Sequence, residues 1–293
     1  MDVKYHLGCP VWACPDWVGS LFSTKDRKKW LQEYSSVFGA VEGNSTFYGL
    51  PAIETVHRWA ESSCEGFRFC LKFPRVISHD RRLIDADVET GLFLDVLKVL
   101  AESDRLGPSF LQLPPTFSSV ELDRLHSFLQ ALPIEFPYAV EVRHLDFFDQ
   151  GPAEAALNEM LKELKINRVL FDSRPLFSRS PSDEAEAASQ GRKPRSPHRT
   201  TVTGSRPMLR LVGRNSVEET LPWIDDWSAV IAEWISAGLE PYVFCHSPDE
   251  AFAPEFAARL HSQLQSHLST LPDLPDWPGQ VKKVGPKQLS LFG

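Results

Sequence analysis

Residues 138–172 read YAVEVRHLDFFDQGPAEAALNEMLKELKINRVLFD, and the fold turns on how they divide. Tyr138 to Arg143 alternates apolar and polar side chains, the period-two mark of a strand. Pro152 then stands at a favoured first helical position, and Pro152 to Leu164 carries helical spacing. Arg168 to Asp172 closes the stretch with a second β-rich run. Two strands joined through a helix pair in parallel.

The same unit recurs outward in both directions. Further strands are predicted at Tyr5–Cys9, Ala40–Asn44, Phe67–Phe73, Ser109–Leu113, Met208–Val212 and Tyr242–His246. Helices are predicted at Asp26–Phe38, Pro51–Ala60, Val88–Leu106, Ser119–Leu132, Val217–Ala237 and Pro254–Leu268. Eight such units over roughly 250 residues make a single-domain α/β protein, a (β/α)8 TIM barrel. A doubly wound sheet is the competitor. It announces itself by a Gly-rich turn after the first strand, and Gly8-Cys9-Pro10-Val11-Trp12 is no such turn.

The barrel is assigned to residues 1–270 and a flexible tail to 271–293. Residues 178–207 break the rhythm with almost no large apolar side chain, and a long, partly disordered polar loop is expected there. Its second half holds Arg192, Lys193, Arg195, Arg199 and Arg206 without an acid. It reads either as a solvated insertion or as a mobile basic flap over an anionic ligand on the barrel's active face.

Composition narrows the class. The 293 residues are 42% hydrophobic and 24% charged, which excludes wholesale disorder. No apolar run approaches the roughly 18 residues of a membrane span, and the N-terminus lacks a leader pattern. A cytoplasmic protein without a membrane partner is expected. A formal charge of -8 excludes a uniformly basic nucleic-acid coat. Five cysteines without a C-x-x-C pair predict free thiols.

Helices cover the outside of a barrel strand, so its apolar set should face them and its polar set the lumen. That rule sends His6, Glu42, Asn44, Lys72, Gln112, Glu141, Arg143, Asp172, Arg210 and His246 inward. Charges are rarely buried without partners, so this many polar positions at one parity point to a ligand site. Lys72, Arg143 and Arg210 suit phosphate or carboxylate oxygens, with Asn44, Gln112 and His246 as further substrate contacts. Glu42, Glu141 and Asp172 are candidate catalytic acids or bases. Glu141, Asp172 and His246 could hold a divalent metal, although no close-spaced ligand motif accompanies them. His79 lies in a loop on the active face. Trp12, Trp17 and Tyr48 follow strand ends and could stack on a base or sugar.

The run Val41-Glu42-Gly43-Asn44-Ser45-Thr46-Phe47-Tyr48 resembles the signature of the YecE-like family (domain of unknown function 72). Gly8 with Trp12 and Trp17, Lys72-Phe73-Pro74 with Ser78-His79, Leu111 to Pro115, Val140 to His144 and Asp172 to Pro175 follow in the family's order. The resemblance runs from about Tyr5 to Leu268. It implies a TIM barrel and no established activity. Many members read RLHGR and FNN at the last two strands; here those positions are Leu209 to Arg214 and Val243 to Asp249.

The tail is similar to a second pattern. Gln288-Leu289-Ser290-Leu291-Phe292 resembles the QLxLF pentapeptide that ties bacterial polymerases and repair proteins to the DNA sliding clamp. Together these features predict a barrel recruited to DNA by that clamp, binding or processing a phosphate-bearing substrate such as nucleic acid, with phosphate-ester or phosphodiester hydrolysis as its enzymatic form. A non-enzymatic clamp adaptor and a barrel enzyme for a small sugar or sugar phosphate are the alternatives.

Overall fold

A computed structural model describes residues 4–281. The strands are β1 His6–Cys9, β2 Ala40–Gly43, β3 Arg68–Leu71, β4 Ser109–Gln112, β5 Tyr138–Glu141, β6 Asn167–Asp172, β7 Met208–Val212 and β8 Tyr242–His246. The helices between and after them are α1 Arg27–Ser35, α2 Ile53–Ser62, α3 Asp87–Glu102, α4 Leu122–Gln130, α5 Pro152–Glu163, α6 Glu184–Arg192, α7 Leu221–Ser236 and α8 Ala253–His267.

All paired strands are parallel, in the order β3-β2-β1-β8-β7-β6-β5-β4. The bridge Lys72↔Phe110 joins the two ends, with Phe73 N donating to Phe110 O at 3.0 Å. The result is the expected (β/α)8 barrel, nearly closed. The first five strands are shorter than the sequence predicts. β3 stops at Leu71 and β5 at Glu141, so Lys72 and Arg143 project from the strand ends.

Two layers fill the barrel. The larger core lies between strands and helices, where Leu71, Leu111, Val140, Leu209 and Val243 meet Trp227, Phe256 and Leu260. The lower lumen holds a separate apolar plug of Ala40, Cys70, Phe110, Ala139, Val169, Met208, Tyr242 and Phe244. The plug floors the polar residues above it. β1 can approach β2 because residue 8 is glycine; a Cβ there would stand 1.9 Å from the Ala40 carbonyl oxygen. His6 belongs to the opposite end. It bonds Glu240 at 2.9 Å and stacks on Tyr242 at 4.4 Å, below the plug.

Residues 178–207 differ from the expected loop. They contain α6, whose N-terminus is capped by Asp183 accepting from Glu186 N. The buried face of α6 is Glu186 and Ser189 rather than an apolar stripe. Glu186 pairs with buried Arg214 at 2.6 Å, and Ser173 Oγ donates to the Pro194 carbonyl at 2.7 Å. Ion pairs and side-chain hydrogen bonds seat this segment, which is why hydrophobic periodicity did not reveal it.

Candidate functional site

The upper lumen is built around Arg210 of β7. Its Nε and Nη2 each donate to Glu42 of β2 at 2.7 Å, and its Nη1 donates to Glu141 of β5. Its guanidinium lies 5.1 Å from the Phe110 ring centre and 5.5 Å from that of Phe171. Bidentate pairing and two aromatic platforms suit arginine better than lysine.

Five further side chains hang on this core. Glu42 also accepts from Asn44 Nδ2 at 2.7 Å and His246 Nε2 at 3.0 Å. Glu141 accepts from Gln112 Nε2 at 2.6 Å and Arg143 Nε at 2.8 Å. Gln112 Oε1 takes a bond from Lys72 Nζ at 2.7 Å, and that ammonium lies 3.9 Å from the Phe47 ring centre.

The electrostatics separate holders from reactive groups. Burial alone would raise the Glu42 and Glu141 carboxyls, but Arg210, the further cations and the hydrogen bonds that each carboxylate accepts together outweigh it. Glu42 lies well below its ordinary range and Glu141 falls to about 2. With their lone pairs filled by donors, both are poor bases at neutral pH. Burial and neighbouring Arg210 instead lower Lys72 to about 7, so this amine exchanges its proton near neutrality. Burial lowers His246 to about 4, despite Glu42, so its imidazole is neutral and Nε2 carries the hydrogen.

Above this network opens a cavity of about 480 Å³ at the C-terminal ends of the strands. Lys72, Arg75, Arg143, Arg192, Lys193 and Arg210 line it, with Glu250 the one carboxylate among its lining residues. Tyr48 and His79 form part of its rim. Burial and Lys72 lower His79 to about 4. Arg143 uses Nε on Glu141, and among the described residues its terminal nitrogens meet no protein acceptor. Lys193 follows α6 and sits 6.0 Å from the Phe171 ring centre, facing the cavity from above. A groove of about 250 Å³ lined by Tyr48, Leu50, Val76 and Leu92 shares Phe47, Tyr48 and Arg75 with the mouth.

The structure thus brings Glu42, Asn44, Lys72, Gln112, Glu141, Arg143, Arg210 and His246 together, with Tyr48 and His79 beside them. Asp172 is a correction. It faces the helices, accepting from Trp227 Nε1 of α7 at 2.8 Å and from Arg174 Nη2 at 2.8 Å. Its neighbour Phe171 turns inward as the platform for guanidinium groups. The polar-inward rule fails on β6 because an indole and a guanidinium satisfy the carboxylate outside. The proposed metal set of Glu141, Asp172 and His246 therefore does not converge. Among the described residues no group of three His, Cys, Asp or Glu side chains could hold a metal ion. Trp17 is also corrected. It is buried against Phe22 and Tyr34 and cannot stack on a ligand. Trp12 packs edge-on against Trp59 at 5.1 Å. Gln288, Leu289, Leu291 and Phe292 lie outside the described residues.

Sequence reading missed Phe171 and Glu250 and gave Phe47 no role of its own in the site. The inward aromatics look like ordinary core. Glu250 follows Asp249 in a short acidic turn that gives no sign of which carboxyl faces the cavity.

Comparison with known proteins gives one answer. The family described as "Protein of unknown function DUF72" matches residues 6–280. The UPF0759 protein YecE of Escherichia coli (strain K12) is 39% identical over 287 residues, covering 98% of this chain and 99% of that protein. The UPF0759 protein YunF of Bacillus subtilis (strain 168) is 27% identical over 171 residues, covering 56% and 59%. A solved DUF72 family protein from Enterococcus faecalis V583 superposes with a TM-score of 0.66 at 20% identity, covering 92% of this chain and 97% of that one. One from Thermotoga maritima MSB8 gives 0.65 at 20% identity, covering 90% and 99%.

Proposed function

Because the chain belongs to the DUF72 family, whose description carries no activity, we propose its function from the mouth itself: a receptor for a phosphate-bearing ligand, with nucleotides and nucleic acid foremost. One observation carries this reading. Cations outnumber carboxylates around the cavity, and the nearest cations keep donors that no acceptor among the described residues uses. Glu42 and Glu141 hold the Arg210 and Arg143 guanidinium groups in place, while Lys72, Arg143 and Lys193 meet the phosphate oxygens. The adjoining groove favours a nucleotide over a bare sugar phosphate, because Tyr48 is 83% exposed and offers a ring face beside the phosphate site.

The enzymatic form of the proposal is phosphate-ester hydrolysis. The fixed cations stabilise charge on the phosphoryl oxygens, and Lys72 rather than Glu42 or Glu141 exchanges the proton. Calorimetric titration of the full chain with adenosine monophosphate, ribose 5-phosphate and inorganic phosphate tests the receptor. Arg143→Met should weaken all three by about 10-fold or more, and Tyr48→Ala should weaken only the nucleotide. No binding of any of the three at millimolar concentration defeats the reading.

We further propose that Gln288 to Phe292 docks on a bacterial DNA sliding clamp. The five-residue match to the clamp-binding pentapeptide supports this, arising by chance at a given position on the order of 1 in 10⁵ to 10⁶. The intact chain should bind purified clamp with about micromolar affinity, and a Leu291→Ala/Phe292→Ala variant should not. Equal binding by both ends the proposal.

A further inference from the structure

One carboxyl group at the mouth stands apart from the Arg210 network. Glu250 begins the 3-10 turn Glu250–Phe252 after β8, and it lines the cavity. Trp17 Nε1 donates to its backbone carbonyl at 2.9 Å, which pins the turn to the core. Its side-chain Oε2 is shut off from solvent and has no hydrogen-bond partner among the described residues. Glu42 and Glu141 show the contrast, since donors surround both.

The groups facing Glu250 come from four directions. Lys193 approaches from the segment after α6, Glu42 from β2, Asp249 from the preceding turn, and the Cys9 and Cys14 thiols from the end of β1 and the loop beyond it. None of them donates to Oε2. An ionised carboxylate with one oxygen buried and unpaired is expensive, whereas a neutral acid leaves only an unpaired carbonyl there. Its proton then sits on the other oxygen, on the side of the cavity.

We infer that Glu250 is a ligand-contacting residue of the mouth, standing as a neutral carboxylic acid that donates its proton in a hydrogen bond to an oxygen of the bound anion. The inference rests on the anion-receptor reading and gives that receptor its pH response. A carboxylic acid kept neutral by its surroundings is a good donor to an oxyanion. Burial raises Glu250 to about 7; Lys193 opposes this, while Glu42 and Asp249 reinforce it. Above that pH the group becomes an anion facing an anion. Lys72 loses its charge in the same range, and Lys193, lowered to about 8 by burial and Arg210, begins to lose its own. Affinity therefore falls as pH rises through about 7, for two separable reasons.

Sulfate is the probe, because its own charge is constant across this range. The full chain is titrated with sulfate by calorimetry at about pH 6 and about pH 8, as wild type, Glu250→Gln and Glu250→Ala. Wild-type affinity should fall by about 10-fold or more between the two. Glu250→Gln keeps a donor and cannot ionise. It should match wild type at the lower pH and fall by only about 3-fold, the part owed to Lys72 and Lys193. Glu250→Ala should bind several-fold more weakly even at the lower pH. A glutamine variant with the full wild-type fall, or an alanine variant as tight as wild type at the lower pH, overturns the inference while leaving the receptor intact. A wild type that does not bind sulfate overturns the receptor and the donation with it. The state of the acid is then read separately by carbon NMR of the side-chain carboxyls. A wild-type resonance missing from Glu250→Gln should titrate with a midpoint of about 7, and a midpoint near 4.5 refutes the neutral acid.

Discussion

β6 is flanked by two buried ion networks that end differently. On its helix side, Arg168 meets Glu154 of α5 at 3.0 Å and Asn158 at 2.8 Å, and donates to the Phe147 carbonyl at 2.6 Å. Arg199 closes the other flank of Glu154, at 2.8 and 3.0 Å. Every charge in that network is paired within the protein. On the lumen side, the Arg210 network ends in Lys72 and Arg143, whose remaining N–H groups face a cavity. Buried charge alone therefore marks architecture. Donors left over at an opening mark a site.

The sharpest break of this contrast is to remove each network's central cation. Arg210→Met strands two buried carboxylates and should cost about 3–5 kcal/mol in denaturant unfolding, with loss of anion binding. Arg168→Met leaves Glu154 with Arg199, should cost about 2–3 kcal/mol, and should leave anion affinity unchanged. Equal loss of binding in both variants would erase the distinction.

Acid should strain the lumen network next. The pKa values of Glu42 and Glu141 are depressed, so their stabilisation is present above the ordinary carboxylate range and lost as pH falls toward about 2. The depressed His246 value acts in the same sense, its contribution being lost as pH falls from the ordinary imidazole range toward about 4. The melting temperature should drop steeply below about pH 4. A flat profile there would contradict the charge assignments.

Lys72→Met sharpens the comparison from the other side. The fold favours the neutral amine, so stability falls as pH drops from the amine's ordinary range toward about 7. The methionine variant escapes that loss. It should be about 1–2 kcal/mol more stable than wild type at neutral pH while binding phosphate about 10-fold more weakly. A cation kept at a cost to stability is what a binding site requires and an architectural network does not. The smallest effect belongs to Asp172→Asn, which should lose about 1 kcal/mol through Trp227 and Arg174 and leave anion affinity untouched. A change in affinity would return Asp172 to the site.

Much of this was legible in the chain. Strand parity placed Glu42, Lys72, Gln112, Glu141, Arg143, Arg210 and His246 correctly, because seven of the eight strands obey the rule that polar positions face the lumen or mouth when helices cover the outside. On β6 the rule fails. There Asp172 and Arg168 face the helices, where Trp227 lies 55 residues from Asp172 and Glu154 14 from Arg168, and local alternation carries no record of those partners. The α6 helix escaped for a related reason, since Glu186 and Arg214 seat it where an apolar stripe was sought. Glu250 escaped because its importance lies in a missing partner, and no sequence pattern encodes an absence.

The most direct test is a crystal of the full chain soaked with tungstate, a heavy tetrahedral oxyanion located by its anomalous scattering. The receptor predicts a single strong peak in the mouth cavity, within hydrogen-bond reach of Lys72 Nζ and the terminal nitrogens of Arg143. A peak at the Glu154–Arg168–Arg199 cluster instead, or none at the strand ends, would contradict it.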